Sequence, residues 1–223
     1  MESVVSSTKQ NAVSHGHKVK EKPVYDFIKR LFDIICSFFA LIVLSPVFIG
    51  LAISVKATSE GPVFFAHKRV GKNGKTLKIY KFRSMVTNAE DLIKHFTPEQ
   101  KAEYEKNFKL ENDPRVTKVG KFMRKTSLDE LPQLFNILKG DLSIVGPRPV
   151  MEVETEIYGN YRDMLLSVKP GLTGFWAANG RSCTTYTRRR AMEICYVKNR
   201  SVCFDLKIIL KTITSVFKGE GAV

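Results

Sequence analysis

The stretch IICSFFALIVLSPVFIGLAISV, Ile34–Val55, decides how this chain is read, because it runs for 22 residues without a charged side chain. At ~1.5 Å per residue a straight helix of that length reaches roughly 33 Å, enough for a hydrocarbon core of about 30 Å. A buried helix of a soluble protein seldom goes so far without a polar residue on an exposed face, so the segment is expected in a membrane. A cleaved signal peptide fits poorly: 33 residues precede the run and no small-x-small site follows it.

Both flanks of the run are basic. Lys18, Lys20, Lys22, Lys29 and Arg30 precede it, and Lys56, Lys68, Arg69, Lys72 and Lys75 follow it. The side rich in Lys/Arg normally stays cytoplasmic, so a simple crossing would export one cluster. A helix that dips in and returns to the same face keeps both inside. Ser45-Pro46, at the middle of the run, offers the mechanism. Proline removes the amide that would bond the carbonyl of Ile42, and the Ser45 hydroxyl can satisfy a freed group. A mid-run proline can also kink a spanning helix; the two-sided charge favours re-entry.

The 223 residues suffice for one domain with something left over. Apolar residues at 43% and charged residues at 26% support a packed core and exclude a chain disordered throughout. Collagen-like and disulfide-scaffold classes fall away too. The net charge of +14 predicts an anionic partner, whether nucleic acid, anionic lipid or a phosphorylated substrate. Cys36, Cys183, Cys195 and Cys203 form no Cys-x-x-Cys pair or other zinc spacing and read as reduced thiols. His15 and His17 sit in a polar leader, where a solvated tail is the better reading than a metal pair.

Residues 1–22 read as a mobile polar tail, 23–58 as the membrane helix and its flank, and 59–223 as a cytosolic catalytic domain. Val63-Phe64-Phe65 and the stretch from Leu77 to Phe82 are β-prone, and the intervening Asn73-Gly74 predicts a basic β-hairpin. Asn88 to Phe108 is charged and helix-prone, and Thr97-Pro98-Glu99 predicts a stop, an N-cap and a second short helix. Leu206, Ile209, Leu210, Ile213, Val216 and Phe217 recur at helical spacing, giving either a core-facing helix or a basic amphipathic one on the membrane. The expected class is α+β: a re-entrant membrane helix followed by a mainly helical head carrying the hairpin.

The stretch from Arg124 to Leu138 carries the chemistry. Ser127 and Glu130 have capping-box spacing for a helix starting at Leu128, while Pro132 suits a slightly later start. Either places Asp129 and Glu130 at a helix N-terminus, where free amides favour an ionised carboxylate. Such an Asp can hold Mg²⁺ or attack phosphorus to form an acyl-phosphate, although helix capping alone would explain the pair. Several turns around it present cations. Lys81-Phe82-Arg83-Ser84-Met85 ends the second strand, Asn112-Asp113-Pro114-Arg115 opens another segment, and Gly146-Pro147-Arg148-Pro149 and Asn179-Gly180-Arg181 each offer an arginine. Arginines fixed on Pro- or Gly-bounded turns suit forked recognition of phosphate oxygens.

From Lys29 to the C-terminus these motifs resemble the bacterial sugar transferases, the monotopic phosphoglycosyl transferases. The resemblance rests on Lys29-Arg30-Leu31-Phe32-Asp33, Ser45-Pro46, the Lys81–Met85 motif, Thr126-Ser127-Leu128-Asp129-Glu130-Leu131-Pro132-Gln133, Val145-Gly146-Pro147-Arg148-Pro149, Lys169-Pro170-Gly171-Leu172-Thr173-Gly174 and Asn179-Gly180-Arg181. It implies transfer of a sugar 1-phosphate from a UDP-sugar to undecaprenyl phosphate with release of UMP, in exopolysaccharide, capsule or glycoconjugate synthesis. It further implies Asp129 as the nucleophile, Glu130 as its partner (base, hydrogen-bonding support or metal support), and Mg²⁺ held at Asp129 and Glu130. Lys81, Arg83, Arg124, Arg148 and Arg181 would bind the diphosphate, lipid phosphate or nucleotide. The implied location is the cytoplasmic face of the bacterial inner membrane, with both ends of the anchor cytosolic, membrane lipid as a partner and a homodimer possible. Ala177-Ala178 and His67 stand where the family often has Gln-Val and Gln, which leaves the donor sugar open. The extra N-terminal membrane helices of some relatives are expected to be missing. The rival reading, a basic nucleic-acid binder, has no use for an Asp-Glu dyad beside Gly-Pro-Arg-Pro, so no nucleic acid is expected.

Overall fold

The computed structural model describes residues 19–107, 110, 112–180 and 184–217. The apolar run forms two helices, α1 (Pro23–Val43) and α2 (Ser45–Thr58), bent by 63° at Leu44. The break falls where Pro46 cannot donate, and Ser45 Oγ donates to the carbonyl of Ile42 at 2.8 Å, as the sequence suggested. No single helix among the described residues is long and apolar enough to cross a membrane, but the bent pair passes that test together. Its outer face is apolar and bare: Phe27, Phe39, Val43, Ile49 and Ile53 are all more than half exposed.

The hairpin follows. Strands β1 (Phe64–Val70) and β2 (Thr76–Phe82) pair antiparallel, with Val70 opposite Thr76 and Phe64 opposite Phe82. Asn73 and Gly74 both take positive φ, which the tight reversal requires. Helices α3 (Ala89–Leu92) and α4 (Pro98–Asn107) follow, divided at the predicted place. Thr97 Oγ1 accepts from Gln100 N at 3.2 Å while the Gln100 side chain accepts from Thr97 N at 3.0 Å, a reciprocal cap.

Helix α5 (Lys118–Thr126) is capped by the Thr117 side chain, which accepts from Gly120 N. Gly120 lies so close to the Ser84 carbonyl that a side chain there would collide, and this close approach presses α5 onto the end of the hairpin. Helix α6 (Gln133–Lys139), the three-residue strand β3 (Ser143–Val145), the short helices α7 (Glu152–Thr155) and α8 (Arg162–Leu166), and β4 (Gly171–Thr173) complete the middle of the head. Strands β3 and β4 pair in parallel. Helices α9 (Tyr186–Asn199) and α10 (Val202–Phe217) close it. On α10, Ile208 is buried and Ile209 packs on the core, while Leu206, Leu210 and Ile213 of the expected apolar stripe remain exposed.

Three apolar clusters hold these elements. One joins α8, α9 and α10 to Val145 and Val150; a second joins β2 and α6 to the flank of α1; a third joins α2, Phe82 and Met123 of α5. The bent pair is thus packed into the head. The stretch before α1 also docks: Lys22 Nζ donates to the carbonyl of Arg200, and Arg200 donates back to that of Lys20. His15, His17 and the rest of the expected tail lie outside the described residues.

Candidate active site

The predicted capping box at Ser127 does not form. Ser127 takes a left-handed conformation, φ 58°, and its amide bonds the carbonyl of Arg124 to close α5. Leu128–Glu130 form a 3-10 turn, and α6 begins only at Gln133, after Pro132. The dyad therefore sits in a tight turn between two helices rather than on a helix N-terminus. The turn drives Asp129 inward to 7% exposure.

Lys81 is brought to this turn by β2. Strand β1 lines one edge of β2, and Asn136 on α6 completes the other: its Oδ1 accepts from Tyr80 N at 2.9 Å and its Nδ2 donates to Lys78 O at 2.7 Å. A side-chain amide thereby stands in for a third strand and fixes the end of β2. Lys81 Nζ lies 2.6 Å from Glu130 Oε1 and 3.8 Å from Asp129 Oδ2. Arg124 donates its Nε to Ser84 Oγ at 2.9 Å, and its charge acts on Asp129.

Burial pushes the Asp129 carboxyl above the usual range, and the Glu130 charge adds to that push, while Lys81 and Arg124 pull it back. The sequence expectation of a carboxylate eased by helix amides is corrected here: desolvation is the largest effect. Asp129 is a costly charge held beside cations.

Beside the turn opens a cleft lined by Lys81, Glu130, Gln133, Arg148, Trp176 and Glu193. Arg148 lies over the Trp176 ring at 5.6 Å and makes no ion pair among the described residues. Its amide donates to Glu193 Oε1 at 3.0 Å, which fixes the Gly146–Pro149 turn. Glu193 is 1% exposed, and burial raises its carboxyl to about 7. His67 is held down at about 4 by burial and by Arg69, so it is neutral. Arg69 can only donate to His67 Nδ1, at 3.3 Å, which places the imidazole proton on Nε2.

Of the sequence candidates, Asp129, Glu130, Lys81 and Arg124 meet at one turn, and Arg148 lines the adjoining cleft with Lys81 and Glu130. Arg83 points elsewhere: it donates to the carbonyl and hydroxyl of Ser59 at 2.7 and 2.8 Å and holds the end of α2. Arg181 lies outside the described residues. Arg115, expected to offer a cation on its turn, is instead spent on Asp113 in a bidentate pair with bonds of 2.8 and 2.6 Å and is 5% exposed. Arg69, Trp176 and Glu193 escaped sequence reasoning. Trp176 had a signal, being the only tryptophan in the chain and lying in a Gly-bounded loop; Glu193, in the middle of a helix, had none.

Three cations, Arg69, Lys81 and Arg148, border the cleft beside the Asp129-Glu130 turn, and the family model for bacterial sugar transferase matches residues 24–219. The chain belongs to the bacterial sugar transferase family. It is 49% identical over 199 residues to an undecaprenyl-phosphate galactose phosphotransferase of Salmonella typhimurium, covering 88% of this chain and 42% of that protein. It is 44% identical over 204 residues to the exopolysaccharide production protein ExoY of Sinorhizobium fredii, covering 90% of each. A UDP-glucose:undecaprenyl-phosphate glucose-1-phosphate transferase of Klebsiella pneumoniae is 43% identical over 206 residues, covering 87% of this chain and 41% of that protein. The chain thus spans about two fifths of the length of the Salmonella and Klebsiella relatives and most of the Sinorhizobium one. As a sugar transferase it shares with all three the segment that carries the dyad and its cations.

Proposed function

We propose that this sugar transferase moves a sugar 1-phosphate from a UDP-sugar to undecaprenyl phosphate, at the membrane step that begins assembly of a bacterial surface polysaccharide. The observation that carries the reading is Asp129: a buried carboxylate, 3.8 Å from Lys81, at the edge of a cleft lined by Lys81 and Arg148. An Asp oxygen attacks the β-phosphorus of the donor, a new O–P bond forms, the bond to the α-phosphate breaks, and UMP leaves. An oxygen of the lipid phosphate then attacks the phosphorus of the aspartyl phosphosugar and the Asp129 carboxylate departs, giving a lipid diphosphate sugar.

Two anions approach an anionic nucleophile here, so the cations decide whether the site works. Lys81 steadies Asp129 as a carboxylate, and Arg148, supported by Trp176 and Glu193, is free to take phosphate oxygens. Arg124, bonded to Ser84, adds positive charge near Asp129. The donor set also fits Mg²⁺: Asp129 and Glu130 offer neighbouring oxygens that already converge on one cation, Lys81 Nζ, and this ion commonly takes one or two carboxylates plus substrate phosphates. Bound there, Mg²⁺ would offset charge on the transferring phosphoryl group.

The re-entrant reading of α1 and α2 joins this proposal. The 63° bend and basic residues at both ends support an anchor that enters and leaves by the cytoplasmic face of the inner membrane. The site then stands at the lip of the bilayer, where a membrane-bound acceptor meets a soluble donor. The test is intact-mass measurement of protein incubated with UDP-galactose or UDP-glucose and no lipid acceptor. A hexose-phosphate increment is expected on the wild type and none on Asp129→Asn; UMP release that survives Asp129→Asn would refute the mechanism.

A further inference from the structure

A second cavity, of about 470 Å³, lies apart from the Asp129 cleft and shares no lining residue with it. It is bounded by the first turns of α1, the tip of the hairpin and the loop before β4. Five cations border it together with the acids Glu21, Asp26 and Asp33; Lys29 is paired with Asp205 and Arg200 donates to backbone carbonyls, which leaves Arg30, Lys72 and Lys169 from three separate elements. Lys169 belongs to the Lys169-Pro170-Gly171 motif, which the proposed chemistry does not use.

Arg30 and Lys169 are packed together at the end of α6. Gly140, in left-handed conformation there, has Arg30 NH2 and Lys169 Nζ within 3.3 and 3.5 Å of the point where a side chain would begin. Arg30 is fixed, because it donates to the carbonyls of Ile137 and Leu138 at 2.6 and 2.7 Å. Neither Lys169 nor Lys72 has a hydrogen-bond or ion-pair partner among the described residues. Burial and Arg30 press the Lys169 ammonium downward, Asp33 partly offsets them, and Lys72 adds a smaller downward push. Asp33 is already engaged, accepting from Ser143 Oγ and Ile144 N. Glu21, Asp26 and Asp33 also line the cavity but make no ion pair with Lys72 or Lys169, and an anion seated between these two and Arg30 relieves their mutual repulsion.

We propose that Arg30, Lys72 and Lys169 form an anion site, separate from the catalytic cleft, that takes the phosphate of a membrane lipid head group. The lipid source rests on the membrane reading of α1 and α2. The bare apolar side of α1 runs past the cavity, with Val24 and Phe27 largely exposed before Arg30 and Leu31, Ile35 and Phe38 about half exposed after it, so the cavity borders the apolar face of the helix pair, where a lipid head group would lie. Held there, a lipid phosphate bridges the anchor, the hairpin tip and the loop that leads to Gly171–Gly174 at the catalytic cleft.

The experiment has two arms. The full chain is floated with phosphatidylcholine vesicles with and without phosphatidylglycerol, and phosphatidylglycerol retained in detergent is counted by native mass spectrometry. Lys72→Gln/Lys169→Gln is compared with Lys118→Gln/Lys121→Gln, an equal loss of charge on α5. The first pair is expected to cut phosphatidylglycerol retention on the order of tenfold and the second to leave it within twofold. Lys72 is at an exposed tip, so Lys72→Gln alone keeps the test interpretable should the double variant fold poorly; it is expected to lower retention severalfold. Equal losses in both pairs, or none in either, would overturn the site. Retention that inorganic phosphate at millimolar concentration replaces, with no preference for phosphatidylglycerol, would overturn the lipid source and leave a free-phosphate site. Failure to float even with neutral vesicles would remove the membrane reading and the lipid source with it. The sugar-phosphate adduct on Asp129 is expected to persist in both variants, so loss of lipid and failure of the catalytic proposal are separate results.

Discussion

Asp129 is held by the fold in a state that burial disfavours. Its folded-state carboxyl titrates above its unfolded value, so the native protein binds that proton more readily and this group's contribution to stability falls as pH rises through the interval between them. Asp129→Asn is therefore expected to raise the melting temperature at neutral pH while lowering UMP release by at least ~10³-fold; a lower melting temperature would show that its ion contacts outweigh desolvation. Lys81 is the largest influence pulling that carboxyl down. Lys81→Met should move the acidic limb of the pH–rate profile to higher pH, and an unmoved limb would mean that a different group is titrating. The dyad and Lys81 were legible in sequence because they lie in contiguous motifs. The part played by Arg83 was not, since its partner Ser59 is set by packing of α2 against the hairpin and not by local pattern.

At the level of elements, the hairpin and the paired short helices followed from local chemistry: Asn73-Gly74 supplies the two positive φ values, and Thr97 supplies the cap. The bend followed from Ser45-Pro46 for the same reason. Ser45→Ala/Pro46→Ala restores a donor where the break lies and removes the hydroxyl that satisfies Ile42, so a straighter helix is expected. An impermeant thiol reagent applied to intact cells should then label a cysteine introduced before α1 more strongly than in the parent protein; unchanged protection would assign the topology to the flanking charges instead. The support of β2 by Asn136 could not be foreseen, because nothing in the sequence aligns an α6 amide with a strand edge some 56 residues earlier. Asn136→Ala leaves Tyr80 N and Lys78 O without their partner and should cost about 2 kcal/mol, read as a lowered melting temperature with loss of activity through Lys81.

Across the whole molecule two buried carboxylates tie α1 to the head: Asp33, through Ser143 and Ile144, and Asp205. Asp205 on α10 accepts from Tyr25 at 2.9 Å, Tyr196 at 2.9 Å and Lys29 at 2.7 Å, joining α1, α9 and α10. Asp205→Asn removes the charge that pairs Lys29 in a largely buried setting and should destabilise the protein by about 3 kcal/mol; protease sensitivity of the stretch before α1 should increase with it. The sequence by itself determined the apolar run and its break, the basic hairpin, the acidic pair and the cations of its motifs, since each depends on residues near one another in the chain. Only the tertiary structure decided which of those cations reach Asp129, that the acidic pair lies in a turn between two helices with Asp129 buried, and that Trp176, Glu193 and Asn136 support the site. Those outcomes depend on contacts between distant segments, where burial outweighs the local preferences of helix and cap.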